Sequence, residues 1–508
     1  MDFYEKLDEE GLSNMLTRVS YTPIHFINQD AVNIFLREML QNEDAKVFVY
    51  GDYDVDGAMF TMVTLSTLKK LGVHPDVFRY RKRTHDLDKE AVRYCIQNKY
   101  THFIIGDTAS SDLKTLKMLV SYGVHVLVLD HHMTVYDYDD FKEAGVTIIN
   151  TTVENVELGK ERYHLCAGAL AFCVFDSFMR EELGEELEEE AAFALVSLYA
   201  DCMDMSDIIN RSLYYKATEL SKVSLPKYIL HFMNEYQSLN ARFIGYWFAP
   251  RINSLFRSEH FDVLNEYLFG DVSSSERIQL IERIDEIYSN DREMVGMLSD
   301  LVDVEQLQHF VVCNLQTAAD KHPKYFSNLP NYTGLVANKL AERYGETAVV
   351  YCDAQNEYKG SVRDPYSRTY LPLFQQICYA GGHGPAFGLK IKLFELNSFL
   401  KKLETIDQYF HIDDVENKPL IFTHEYAIPD DGLIEDMALY NEFSGNHLPI
   451  AYLQKSIVGA LKPKQTSYYW RYDWGDNYFI QSDFPLEFGS KVLIKPVHTA
   501  RTKLLAQI

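Results

Sequence analysis

Basic residues are in short supply in this chain: 49 Lys and Arg stand against 74 Asp and Glu, a formal net charge of −25. Phosphate binding usually needs a basic face. A nucleic-acid role would therefore have to rest on local basic clusters, or on metal ions that neutralise carboxylates. Cysteine is sparse as well. The seven (Cys95, Cys166, Cys173, Cys202, Cys313, Cys352, Cys378) include no C-x-x-C pair, which argues against a thiolate zinc site or a disulfide framework and suits a reducing cytosol. No apolar run is long enough to span a bilayer, and the acidic start "MDFYEKLDEE" reads as no signal peptide. The expectation is a cytoplasmic protein with no membrane partner. Internal repeats and low-complexity linkers are also lacking.

What is present is length and core. With 508 residues, 47% of them hydrophobic, two to four domains are expected. The stretch "KVFVYGDYDVDGAMF" (Lys46 to Phe60) sets the problem. An apolar, β-favouring run ends in Asp52, Asp54 and Asp56 followed by Gly57. Carboxylates so close repel and raise one another's pKa, so a cation is expected among them. A calcium loop also begins D-x-D-x-D-G, but its twelfth position, a bidentate Glu, is Val63 here, and a strand rather than a helix precedes it. An ordinary acidic turn remains open on these residues alone.

From Lys46 to Asn150 short apolar runs ("KVFVY", "DVFRY", "HFII", "HVLVL", "VTII") alternate with helical stretches such as "AMFTMVTLSTLKKLG". That alternation predicts a parallel α/β sheet, whose ligands gather at the carboxyl ends of the strands. Three of those ends carry chemistry: Asp52, Asp54 and Asp56; then Asp107; then Asp130, His131 and His132. A helical stretch ending "SLYADCMDM" adds Asp201 and Asp204. Hard divalent cations such as Mg²⁺ and Mn²⁺ take carboxylate and imidazole ligands, and a pair of them can clamp a phosphoryl centre. Asp54, Asp56, Asp107, His131 and Asp201 have the residue types for such a pair, with Asp107, alone after its strand, as the candidate bridge. Taken singly, Asp201 could be a helix cap and the histidines turn residues.

The run from about Arg257 to Glu305 is polar, charged and helical and predicts a long connector helix. A second α/β pattern runs from "HFVVCNL" to the glycine-rich "YAGGHGPAFGLKIK". Its paired glycines would let backbone approach a phosphate, or form a plain turn. Arg363 in "KGSVRD" could grip a phosphate bidentately or make a surface ion pair. Past Asp413 the aromatic, turn-rich text predicts a small β-barrel-like module. From Ala451 onward eight Lys/Arg stand against four Asp/Glu. "YRKRTH" (Tyr80–His85) is a second basic patch, and "EELGEELEEE" (Glu181–Glu190) reads as a solvated helix face.

Together these motifs resemble the DHH phosphoesterase superfamily, and within it the RecJ-type single-strand-specific 5′ exonucleases. "DYDVDG" and "VLVLDHH" match almost letter for letter. "YHLCAGALAF", "SLYADCMDM", "APRINSLFR", "NYTGLVANKLAERYG", "KGSVRD", "GGHGPAFG" and "MALYNEFSGNHLPIAY" follow in the family's order, from about Ala45 to the C-terminus. Departures such as "TASSD" after Asp107 and "SLFR" within the third of these fall on no expected metal ligand. The resemblance implies a DHH catalytic domain (residues 1–220) holding two Mn²⁺ or Mg²⁺ ions, a helical connector (221–305), a DHH-associated substrate domain (306–412) and an OB-like β module (413–508). It implies metal ligands Asp54, Asp56, Asp107, His131 and Asp201, and catalytic roles for Asp130, His132 and His383. Substrate contacts are implied at Arg363, Ser361, Gly381, Gly382, Arg251, Asn253 and Arg257. The activity implied is release of mononucleotides from the 5′ end of single-stranded DNA, or RNA, in repair or recombination, by a monomer with a single-strand-binding protein or helicase as partner. In the C-terminal module, Tyr468, Tyr469, Trp470, Tyr472 and Trp474 could stack bases or build a core.

Rival readings are a DHH phosphodiesterase of cyclic dinucleotides or short oligonucleotides, a pyrophosphatase, and a binding protein on a dead nuclease fold. The small-substrate relatives typically carry His where this chain has Tyr50, and dead folds usually lose ligands that this chain keeps.

Overall fold

The computed structural model describes residues 3–81, 87–160, 162–233, 238–321, 328–365, 368, 370–383, 386–409, 420–423, 431–444, 450–456, 463–465, 470–474, 478–482, 486, 491–497 and 503–507. The chain forms two compact units. One joins residues 1–282 to 419–508, and the other spans 283–418. The division falls inside the helix Ser274–Leu301. The single long helix expected from Arg257 is broken into Phe261–Phe269 and Ser274–Leu301. Gly270 ends the first. Ser273 starts the second by reciprocal capping with Glu276: its backbone N–H donates to the Glu276 carboxylate at 2.8 Å, and its Oγ accepts from Glu276 N at 3.3 Å.

In the first unit, β1 (Val47–Gly51), β2 (Asp76–Val77), β3 (His102–Gly106), β4 (His125–Asp130) and β5 (Val146–Asn150) form a parallel sheet in the order β2-β1-β3-β4-β5. Strands β1 and β3 are buried at every position, as both faces of a helix-covered parallel sheet must be. The register aligns Gly51, Gly106 and Leu129 in one row. Asp52, Asp107 and Asp130 are therefore the next residue on three neighbouring strands. Strand end and helix start interlock tightly here. A Cβ on Gly51 would lie 2.0 Å from the Gly57 carbonyl oxygen, and one on Gly57 would lie 2.4 Å from the Asp52 backbone.

Strands β12 (Leu420–Thr423), β13 (Ala451–Ser456), β14 (Pro463–Gln465), β15 (Trp470–Trp474), β16 (Tyr478–Ser482), β17 (Lys491–Val497) and β18 (Lys503–Gln507) make a sheet in the order β12-β13-β17-β18-β16-β15-β14. Asn441, on the helix Asp431–Phe443, pins that helix to the sheet. Its amide donates to Ala451 O and Pro496 O, and its oxygen accepts from Ala451 N. The next residue ties the module to the rest of the unit: Tyr199 donates to Glu442 O at 2.9 Å, and Ala241 N to its carboxylate at 2.8 Å. Tyr472 and Trp474 are buried, so these two aromatics are core rather than stacking surface. Tyr468 and Tyr469 lie outside the described residues, as do residues 82–85 of the "YRKRTH" patch.

The acidic stretch is not a plain solvated face. Its helix ends at Leu183, with Gly184 left-handed. Glu190 is fully buried and takes an ion pair from Lys70 and a hydrogen bond from Ser66.

The second unit has strands β6 (Val304–Gln306), β7 (Phe310–Asn314), β8 (Thr347–Asp353), β9 (Glu357–Arg363), β10 (Tyr379–His383) and β11 (Ala386–Lys392), in the order β10-β11-β9-β8-β7-β6. Only β7 and β8 pair in parallel. The helix Thr333–Tyr344 covers one face through Val336, Ala337, Leu340 and Ala341 against Val311, Ala348 and Val350. Phe374, Phe399 and Leu403 cover the other. Among the described residues no helix is long and apolar enough to cross a membrane.

Candidate functional site

The cluster forms at the carboxyl edge of the parallel sheet. Asp54 caps the helix Val55–Lys70, its Oδ1 accepting from Gly57 N at 3.0 Å. Asp56 follows inside the first turn. Its carboxylate accepts from Ala167 N at 2.8 Å and Gly168 N at 2.9 Å, and from the Ser197 hydroxyl. Asp56 thus sits at the N-terminus of the helix Ala167–Leu183, where the unpaired N–H groups and the helix dipole favour an anion.

Asp107 ends β3 with φ at +61°, a left-handed conformation that Asp tolerates better than most residues. Strain of this kind persists at functional sites when surrounding structure holds it. His131 Nε2 faces three carboxylates, 3.2 Å from Asp107 Oδ1, 3.6 Å from Asp201 Oδ2 and 3.7 Å from Asp56 Oδ2. Asp201 reaches this point from the C-cap of the helix Glu190–Ala200. Asp130, fully buried, accepts from His131 N at 2.8 Å, His132 N at 3.2 Å, His132 Nδ1 at 2.8 Å and Ser110 N at 3.2 Å. It fixes the turn and aims the His132 ring.

The electrostatics follow from this crowding. Burial, then the charges of Asp56, Asp54, Asp52 and Asp201, push the Asp107 carboxyl well above its ordinary range. Burial and Asp56 and Asp54 do the same to Asp201. Burial would raise Asp130 too, but the charge and hydrogen bond of His132, with His131 and Ser110, hold it well below the usual carboxylate range. For His132, whose side chain is partly in solvent, partial desolvation opposes the charge. The charge and hydrogen bond of Asp130, with Asp201 and Asp52, overcome it and push the ring up to about 10.

Among the described residues two overlapping sets each bring their ligand atoms within 4.8 Å of one another: Asp107, Asp130, His131 and His132; and Asp56, His131 and Asp201. The shared residue is His131, whereas the sequence pattern singled out Asp107. Asp54 is in neither set. Asp107 Oδ2 and Asp201 Oδ2 are buried with no hydrogen-bond partner among the described residues. Orphaned, mutually repelling oxygen donors beside an imidazole fit hard divalent cations.

Asn150 is passed over by sequence reasoning, although it ends β5 by the same strand-end rule and pairs in register with Asp130. Its amide donates to Ser110 Oγ at 2.8 Å and His132 O at 3.0 Å, tying together the turn that carries both histidines. Ser197, mid-helix, gives no such signal.

The helix Ala249–Arg257 carries the next three predicted contacts. Arg251 is buried, its guanidinium 3.7 Å from the Trp247 ring centroid and donating to Trp247 O at 2.9 Å. Asn253 and Arg257 are half-buried.

In the second unit, Ser361 and Arg363 lie two apart on β9. Ser361 shares a hydrogen bond of 2.9 Å with Thr333, at the start of the helix Thr333–Tyr344. Arg363 Nη1 donates to Val362 O at 2.8 Å, and its Nη2 would be 2.8 Å from a Cβ on Gly334. Across the sheet, His383 pairs with Ala386 and Ala386 with Arg363; Gly381 pairs with Gly388 and Gly388 with Ser361. Gly382 has φ +139°, and a Cβ there would lie 2.9 Å from Phe387 Cα, so the fold itself requires glycine. A Cβ on Gly381 would meet nothing within 4 Å, so its surface stands open.

Residues 46–201 match the DHH family, N-terminal domain. The chain is 23% identical over 423 residues to the single-stranded-DNA-specific exonuclease RecJ of Bacillus subtilis, covering 80% of this chain and 49% of the relative. It is 24% identical over 398 residues to the protein of that name from Escherichia coli, covering 70% and 67%. The chain thus spans about half the length of the Bacillus relative. A crystal structure of RecJ from Thermus thermophilus in complex with Mn²⁺ superposes with a TM-score of 0.73 at 18% identity, over 99% of this chain and 74% of that one. The DHH match is confined to residues 46–201, and the chain shares the fold of the Thermus RecJ structure.

Proposed function

We propose that this protein is a metal-dependent nuclease that hydrolyses single-stranded DNA from the 5′ end and releases mononucleotides. The observation that carries this reading is that Asp107 and Asp201 both approach His131 while each keeps a buried Oδ2 with no hydrogen-bond partner among the described residues, a constellation that needs cations. In this reading Asp54, Asp56, Asp107, His131 and Asp201 hold two Mn²⁺ or Mg²⁺ ions. Such ions supply Lewis-acid charge at the phosphoryl group when bound.

The chain's own groups do the rest. The helix N-terminus and Ser197 hold Asp56 in place. Asp130 keeps a proton on His132 Nδ1, so that Nε2 is left to meet a substrate oxygen. The His132 side chain is 55% exposed, as that contact requires. Arg363, Ser361 and His383 bind the phosphate backbone, over glycines that let it come close. The names of the relatives support a single-stranded DNA substrate, and 5′ polarity follows from the motif resemblance.

The test is an assay of the purified full chain on 5′-labelled and 3′-labelled single-stranded DNA, on duplex DNA, on cyclic dinucleotides and on dinucleotides. The result expected is Mn²⁺- or Mg²⁺-dependent release of the 5′-terminal label as a mononucleotide, abolished by chelation. Activity that survives exhaustive chelation would overturn the metal reading. Preference for cyclic or dinucleotide substrates would replace it with the small-substrate phosphodiesterase.

A further inference from the structure

The antiparallel half of the second unit's sheet has two unlike faces. Val362, Ala380, Phe387, Leu389 and Ile391 point into a core with Phe374 and Phe399. Side chains alternate along a strand, so the residues between them form the outward face. The register sorts these into rows. One row is His383, Ala386 and Arg363, and the next is Gly381, Gly388 and Ser361. Beyond them lies a row that the phosphate-binding reading does not use: Tyr379, Lys390 and Lys359.

That row has features of its own. Tyr379 is 69% exposed. The Lys390 ammonium lies 5.2 Å from the centroid of its ring. Among the described residues neither Lys390 nor Lys359 makes an ion pair. A carboxylate, Glu357, lies one row further out, opposite Lys392. The intervening glycines form a floor with no side chains: a Cβ on Gly381 would meet nothing within 4 Å, and one on Gly388 nothing nearer than 3.8 Å.

We propose that Tyr379, Lys390 and Lys359 form a second nucleic-acid subsite, in which Tyr379 stacks a base of the single strand and the two lysines take a flanking phosphate. The inference rests on the nuclease reading and extends it along the strand. The occupant follows from charge and shape. An aromatic ring beside paired cations suits alternating bases and phosphates, and stacking on a ring is indifferent to base identity. Successive rows are two residues apart, so the Tyr379 row lies about 13 Å along the strands from the Arg363 row. A strand held at Arg363 would run across the glycine floor to reach it.

The experiment is fluorescence anisotropy of labelled oligothymidylate on the full chain in chelator, where no cutting competes. Tyr379→Ala should weaken binding on the order of tenfold, and Tyr379→Phe should restore it. The double change Lys390→Gln with Lys359→Gln should flatten the slope of log Kd against log salt by about 0.7. Thermal melts of each variant confirm that it is folded. Tyr379→Ala binding as tightly as wild type would overturn this subsite while leaving the nuclease reading intact. A wild-type protein that binds no single strand would overturn both. Loss of self-association instead of strand affinity in Tyr379→Ala would assign the face to a second copy and overturn the subsite.

Discussion

Two sheet regions of this chain solve opposite electrostatic problems. At the carboxyl edge of β1, β3 and β4, carboxylates are buried together and repel, so the fold there is incomplete without positive charge. On the open face of β9, β10 and β11, two half-buried lysines flank an exposed aromatic ring beside glycine, and among the described residues neither lysine makes an ion pair. The first region is built by burial and backbone hydrogen bonds, and the second by strand register and missing side chains. Local charge, not the net charge of −25, tells which ligand each would take.

The sharpest way to break the comparison is Asp107→Asn, which keeps a residue tolerant of the left-handed backbone. Losing a carboxylate that contacts His131 should cut hydrolysis on the order of a thousandfold. The same change relieves repulsion, so the metal-free protein should melt at the same temperature or higher, and the shift on adding Mn²⁺ should vanish. Turnover like wild type would end the metal assignment. On the second region, His383→Ala should lower kcat and kcat/KM together, on the order of a hundredfold. Its melting shift with Mn²⁺ should stay as in wild type; loss of that shift would make His383 a metal ligand.

Smaller effects test the parallel sheet beneath the carboxylate edge. A Cβ on Gly106 would lie 2.3 Å from the Phe60 ring, so Gly106→Ala should cost about 1–3 kcal/mol in denaturant unfolding. The smallest effect concerns the opposite end of the parallel sheet. His102 and His125 stack with centroids 4.9 Å apart, and His102 is buried against Phe35. Burial, and then the charge of His125, lower the His102 pKa to about 4. The unfolded chain therefore takes up this proton near pH 6.5 and the folded chain does not. Stability should fall as pH drops from about 6.5 to 4, by roughly 2 kcal/mol from this group. Melts of wild type and His102→Gln should diverge over that window; parallel curves would show that His102 is not held neutral.

Much of the carboxylate edge was legible in the sequence. Parallel strands end side by side, so Asp52, Asp107 and Asp130 following three apolar runs had to fall near one another. The same strand-end rule reaches Asn150. The anchor of Asp56 was not legible, because Ala167, Gly168 and Ser197 lie more than 100 residues away and the groups involved are two backbone N–H groups and a common hydroxyl. Glu190 looked solvated within an acidic run, yet tertiary packing buried it against Lys70. Tyr472 and Trp474 were open between core and surface on composition, and burial assigned them to the core.

The sequence by itself determined the alternation of strand and helix, the order of motifs and the residue types at strand ends, because those depend on local periodicity and on neighbours in the chain. Only the tertiary structure decided that residues 419–508 close on the N-terminal part rather than standing apart, and that His131 faces three carboxylates at once. It alone placed Tyr379 in register with Lys390 and Lys359. Each of these is a contact between segments distant along the chain, and such contacts are set by register and packing, which no local pattern encodes.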